Sequence, residues 1–101
     1  MSYRVEFLEF LEIAEIELED TITWYSSQLS DLDAKFLLSV DNLLSLILKT
    51  PKMFPCVHRE VRKATLSDFP FSIIYEIHEP EVILVLAIAH QKRNPTRWIN
   101  R

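Results

Sequence analysis

Nine residues in the second half of the chain are of types that could meet and act on a polyanion: Arg59, Arg62, Lys63, Tyr75, His90, Lys92, Arg93, Arg97 and Trp98. Cations neutralise phosphate, and a histidine or phenol can move a proton when it is held at the right distance. Two adjacent strands and the polar tail after them are the elements that would bring these side chains to one surface. The plainer reading is that Tyr75 and Trp98 cap a core and that the cations are ordinary surface residues. Other chemistry is poorly supplied. His58, His78 and His90 lack the HExxH, paired-Cys or i, i+4 spacing of a tetrahedral metal site. Cys56 is the lone cysteine and reads as a small apolar residue. The chain has no glycine for a phosphate-binding loop, and Ser72 has no acid or histidine at useful spacing to activate it. No metal and no cofactor is expected.

The element that must position this cluster is a hairpin. Phe71 to Ile77 is rich in aromatic and β-branched residues, and Val82 to Ala89 is an unbroken apolar run of strand length. Between them His78-Glu79-Pro80-Glu81 reads as a turn, because proline fixes its own φ and biases Glu79 away from the helical region. The second strand ends abruptly in His90-Gln91-Lys92-Arg93-Asn94-Pro95. Upstream, Val57 to Leu66 alternates as one partly exposed strand, with Val57, Arg59, Val61, Lys63 and Thr65 on one face, and Ser67-Asp68 turns into the hairpin. With no glycine, the turns are expected to avoid left-handed residues.

The first half reads as a helical hairpin. Tyr3 to Phe7 alternates like an edge strand, and from about Leu11 the period changes, with Leu11, Ala14, Leu18, Ile22, Tyr25 and Leu29 on one helical face. Glu12, Glu15 and Glu19 form a solvated stripe on another. Ser30 is the expected N-cap of a second helix carrying Leu32, Phe36, Val40, Leu43, Leu44 and Ile47, which stops at Thr50-Pro51. Met53 and Phe54 are expected to cover the end of the core. These elements predict one α+β domain over 1–101, with a helical hairpin on a mostly antiparallel sheet of about four strands.

Charge is divided between the halves. Residues 1–50 hold ten acids and three bases, and residues 51–101 hold five acids and eight bases, giving −7 and +3 within a total of −4. Phosphate contacts need a basic footprint, so polyanion contact belongs to the second half and no direct DNA-binding element is expected. No apolar run reaches the roughly 18 residues of a membrane span, and the start has neither the basic residues nor the cleavage site of a secretory signal. A cytoplasmic protein is expected.

FPFSIIYEI at 69–77, the buried strand after it and HQKRNPTRW at 90–98 resemble the C-terminal half of the RelE/ParE superfamily of bacterial toxins. The ParE-like branch carries a pattern close to FPYSIYY followed by HxxRDPxxW. Val61-Arg62-Lys63-Ala64 and Trp24-Tyr25 extend the likeness over almost the whole chain, and Asn94 stands where the tail pattern has aspartate. The resemblance implies the toxin of a type II toxin–antitoxin, plasmid-stabilisation pair, neutralised by a cognate antitoxin. The surplus of large apolar residues for so small a domain, including Phe7, Phe10, Trp24 and Phe54, some of which must lie near the surface, is where such a partner is expected to fold on. A homodimer or a toxin–antitoxin hetero-oligomer fits such a pair. Within the superfamily, the ribonuclease branch cuts messenger RNA on the ribosome using basic groups, whereas the ParE-like branch poisons DNA gyrase. Ser72 falls where the ribonucleases commonly have a catalytic arginine and Thr65 where a second lysine is usual, which favours gyrase. The alternatives are a ribosome-dependent endoribonuclease and a detoxified remnant that only binds its antitoxin. Lys63, Tyr75, His90 and Arg93 are the candidates for catalysis. Arg59, Arg62, Lys63, Arg93, Arg97 and Trp98 are the candidates for target binding.

Overall fold

The computed structural model describes residues 7–78, 82–93 and 95–101. Most of the expected first strand, Tyr3 to Glu6, the turn at Glu79, Pro80 and Glu81, and Asn94 lie outside the described residues. The elements run β1 (Phe7–Phe10), α1 (Glu12–Ser26), α2 (Leu32–Lys49), β2 (Cys56–His58), β3 (Val61–Thr65), β4 (Phe71–His78), β5 (Val82–His90) and a short 3-10 turn, η1 (Arg97–Asn100). The sheet order is β1-β5-β4-β3-β2. It is therefore five-stranded where about four were expected.

The central hairpin forms as the sequence predicts, with β4 antiparallel to β5 from Phe71↔His90 to His78↔Val82. Neighbouring β-branched side chains suit a pleated surface buried on both sides, and this pair is so buried because the helices cover one face and the tail covers part of the other. On the helix side Ala64, Leu66, Ile73, Tyr75, Ile83, Val85 and Ile88 meet Ala14, Tyr25, Phe36, Val40, Leu44 and Ile47. On the opposite side a smaller cluster joins Val61, Ile74, Leu86, Ala87 and Trp98.

The helices keep their predicted faces with two exceptions. Leu29 lies beyond α1 and is 69% exposed, because the helix ends at Ser26 and the apolar period outruns it. Asp31, not Ser30, is the N-cap of α2, with φ at 68° and no side-chain cap bond. A left-handed residue reverses the chain at this point, which an ordinary Ser30 cap does not do. Glu12, Glu15 and Glu19 are all exposed, as expected of a solvated stripe. Phe54 packs on the core, but Met53 is exposed.

Val57 to Leu66 is not one strand. It breaks at Arg59-Glu60 into β2 and β3, which pair antiparallel with a shift of register between Cys56 and His58. Arg59 has φ at 53°, so the glycine-free chain uses left-handed residues after all. For a side chain with a Cβ that conformation costs roughly 1–2 kcal/mol, which the pairing of β2 and β3 must offset. Within β3 the predicted alternation does hold: Arg62 pairs with Tyr75 and Ala64 with Ile73 on the helix side, while Lys63 faces the other way opposite Ile74.

β1 lies at the sheet edge beside β5, and the two run parallel from Phe7↔Val82 to Phe10↔Val85. The pairing ends with the Leu11 amide donating to the Val85 carbonyl at 2.9 Å. β5 is nine residues long and its described pairing with β1 stops at Val85, so among the described residues the edge of β5 beyond Val85 has no strand beside it.

Candidate functional site

That unpaired half of β5 forms the floor of a groove. The α1 residues Glu17, Asp20, Thr21 and Trp24 make one wall, and His90, Arg93, Arg97 and Trp98 make the other, around a cavity of about 380 Å³. The walls carry opposite charge. Trp24 is 52% exposed at the rim, and beside it the Tyr25 ring is buried against Phe36 and Phe69, with centroids 5.2 and 5.1 Å away. Burial pushes the Tyr25 phenol above its ordinary pKa, opposed by the nearby Arg93 cation. Neither Arg93 nor Arg97 has an ion-pair partner among the described residues, so both present free guanidinium groups to whatever enters.

His90 sets the start of the tail. Its Nδ1 accepts the backbone amides of Lys92 and Arg93, both at 3.0 Å, which bends the chain away from β5 and turns it back over the sheet. The Phe71 ring stands edge-on to the imidazole at 5.0 Å. Two amides can donate to Nδ1 only when that nitrogen is unprotonated. Burial, then Arg93 and Lys92, hold the His90 pKa below its ordinary value of 6.5. Because the folded state resists protonation, the stability this group contributes is present above pH 6.5 and declines as pH falls below it. We therefore expect melting temperature to fall more steeply between pH 7.5 and 5.5 in the parent than in a His90→Asn variant. Parallel curves for the two would show that His90 does not carry this dependence.

The structure divides the nine-residue cluster. Tyr75 is fully buried, and its hydroxyl donates to the Pro51 carbonyl at 2.6 Å. Burial pushes its pKa up to about 12. Trp98 is also buried, against Val61, Ile74, Leu86 and Ala87, and its indole N–H donates to the Pro95 carbonyl at 2.6 Å. Arg62 is taken up by the carbonyls of Lys52 and Phe54 on the helix side, where it ties the loop after α2 to β3. Arg59 projects from the β2–β3 turn, between His58, whose ring centroid is 6.2 Å from that of Trp98, and Val61, against which Trp98 packs, so it stands near the end of the tail but outside the groove. His90, Arg93, Arg97 and Trp98 do come together, with Lys63 on the same face of the sheet as Trp98.

Thr65 and Ser72, the two positions at which the resemblance implies a departure from the ribonuclease branch, are adjacent. They are paired across β3 and β4, and their hydroxyls lie 3.1 Å apart. Ser72 is 1% exposed. The two neutral hydroxyls satisfy one another.

Three charged or polar groove residues, Glu17, Asp20 and Thr21 on α1, were not singled out from the sequence, and neither was Arg101, which lies outside the groove lining and reaches Glu17 from the tail. A signal for Glu17 exists in retrospect. It stands three residues after the buried Ala14 and beside Leu18, so it borders the apolar stripe while Glu12, Glu15 and Glu19 face water.

A family model described as the ParE toxin of type II toxin-antitoxin system, parDE, matches residues 8–95. The chain belongs to the ParE toxin family. The family is one of toxin–antitoxin pairs, which implies a cognate antitoxin as partner. A solved structure of the chromosomal ParDE TA system from P. aeruginosa shares the fold, with a TM-score of 0.72 at 18% identity, covering 85% of this chain and 96% of that one. No curated protein matches the chain significantly. The α+β architecture, two helices on a mixed sheet, is thus that of a ParE-type toxin. The family match includes the α1 wall of the groove and Arg93, and stops short of Arg97, Trp98 and Arg101. Among the described residues no helix is long and apolar enough to cross a membrane.

Proposed function

We propose that this ParE-family toxin works in the cytoplasm by inhibiting DNA gyrase without cutting RNA, that its tail groove is the surface which engages the target, and that its cognate antitoxin silences it. The observation that supports this over ribonuclease action is the Thr65–Ser72 hydroxyl pair. Cleaving RNA through the 2′-hydroxyl requires groups that take up a proton and stabilise developing charge, and losing one such preorganised group typically costs about 100-fold to 1000-fold in rate. Tyr75 is buried with its hydroxyl committed to Pro51 and cannot replace a missing cation at the surface. Arg93 and Arg97, in contrast, are exposed, without an ion-pair partner among the described residues, and in one groove with an exposed tryptophan, a combination suited to anchoring a protein surface.

Expression of the toxin without antitoxin in a susceptible cell distinguishes the two chemistries. We expect a DNA-damage response and stalled replication, with intact messenger RNA. Rapid codon-specific cleavage of messenger RNA without DNA damage would overturn the gyrase reading and restore the nuclease.

A further inference from the structure

The tail has to be held over the groove, and the structure holds it with an ion pair that spans the chain. Glu17 extends from α1 to the unpaired edge of β5, where its Oε1 accepts the Ile88 amide at 3.2 Å. Arg101 meets it from the other side, its two terminal nitrogens donating to the two carboxylate oxygens at 2.8 and 2.9 Å. The same Nη1 donates to the Leu86 carbonyl at 3.0 Å. The pair thus supplies an acceptor to Ile88 and a donor to Leu86, the two backbone groups that a neighbouring strand would have bonded.

We propose that Glu17 and Arg101 are positioning residues for the toxic surface: they latch the tail to the β5 edge and so set where Arg93 and Arg97 stand over the groove. The proposal rests on the reading that this surface engages the target.

The physical case is one of division of labour. Trp98 supplies the apolar attachment, since it is buried against Leu86 and Ala87. A single ring in an apolar patch resists departure from the sheet but fixes the direction of the flanking chain weakly. A bidentate guanidinium–carboxylate pair fixes direction, because both bonds must be made in one plane. It is also mostly shielded from water, with side-chain exposures of 12% for Arg101 and 19% for Glu17. At that depth the lost hydration largely cancels the attraction, so the pair contributes more to geometry than to net stability. Although Glu17 borders the groove, both residues act in this scheme through the placement of the tail, as the polar atoms of each are occupied by the other and by β5.

The test uses the full chain, purified with its antitoxin for hydrogen exchange and expressed alone for growth inhibition at matched level. Arg101→Ala and Glu17→Gln are expected to speed exchange at Ile88 and through residues 91–101 while α2 and β4 keep the parent rates. Both are expected to weaken growth inhibition about tenfold or more. Arg101→Lys, which keeps a cationic donor for Glu17 and for the Leu86 carbonyl, is expected to retain more inhibition than Arg101→Ala at equal melting temperature, which a general loss of fold in the single variants does not predict. Parent-level inhibition in both single variants, or loosening of α2 and β4 together with the tail, overturns the proposal. Arg93→Ala with Arg97→Ala separates the two levels of inference. If that double variant is inactive while Arg101→Ala is fully active, the latch is wrong and the tail reading stands. If both are fully active, the tail reading has failed and the latch falls with it.

Discussion

Replacing Arg93 and Arg97 together by alanine is expected to abolish growth inhibition and leave the melting temperature nearly unchanged. Both side chains are exposed, neither has an ion-pair partner among the described residues, and neither belongs to a core cluster. Surface substitutions of that kind usually alter stability by less than about 0.5 kcal/mol, whereas removing a charged anchor from a desolvated contact can cost about 2 kcal/mol or more. Two such anchors lost from one contact reduce target affinity by about three orders of magnitude or more if they act independently. The measurement is colony formation at matched expression, paired with thermal unfolding of the purified variant. A double variant as toxic as the parent would sink the tail reading, and Lys63 with Arg59 would become the better surface.

Phe36→Ala is the opposite experiment, with a large effect on stability and none directed at the surface. Phe36 is fully buried between the helices and the sheet, with Tyr25, Phe69 and Phe71 rings at 5.2, 5.2 and 5.6 Å. Truncating such a ring costs roughly 3–5 kcal/mol through lost transfer free energy and the cavity left behind. That is a large part of the about 5–15 kcal/mol by which small proteins are stable. At about 4–8 °C per kcal/mol for a chain of this size, the melting temperature is expected to fall by at least about 12 °C. A fall of less than about 5 °C would mean that the site collapses around the missing ring and that the aromatic cluster is not the centre of the core. Inhibition should decline with the amount of folded protein, and purified variant that remains folded should still bind antitoxin. The arginine variants have the reverse signature.

Much of this fold could be read from local pattern. β4, β5 and α2 are each longer than seven residues, the strands marked by β-branched and unbroken apolar runs and the helix by its period, and the bounds expected for all three agree with the structure to within about a residue. The break at Arg59-Glu60 escaped notice because no Gly, Pro or Asn marks it: an arginine holds the left-handed position, and alternation continues on either side of the turn. The parallel pairing of β1 with β5 escaped for a different reason. Strand signals report a face and a length, but the neighbour of an edge strand is settled by how the helices cross the sheet. Part of the site was visible as composition, since His90, Arg93, Arg97 and Trp98 fall within nine consecutive positions. The acidic wall was not, because Glu17 reads as one more solvated helix acid until Arg101, 84 positions away, is placed beside it. Tyr75 and Trp98 illustrate the remaining ambiguity. The same ring serves a binding surface or a core, and only the partners of their polar atoms, Pro51 and Pro95, distinguish the two.

The neighbours of β5 also govern when this toxin can exist during its own synthesis. β1 and α1 leave the ribosome first, yet their partners on the sheet are residues 82–90, and the residue that clasps Glu17 is Arg101. At about 5–20 residues per second, roughly 5–18 s separate synthesis of β1 from that of the tail. Over that interval α1, α2 and β2 to β4 are made in turn, and until β5 follows, their apolar side chains lack one flank of the sheet and are open to aggregation. On the proposed reading of the groove, a ribosome that stops before residue 82 releases an inert fragment, without the floor of the groove or the tail arginines.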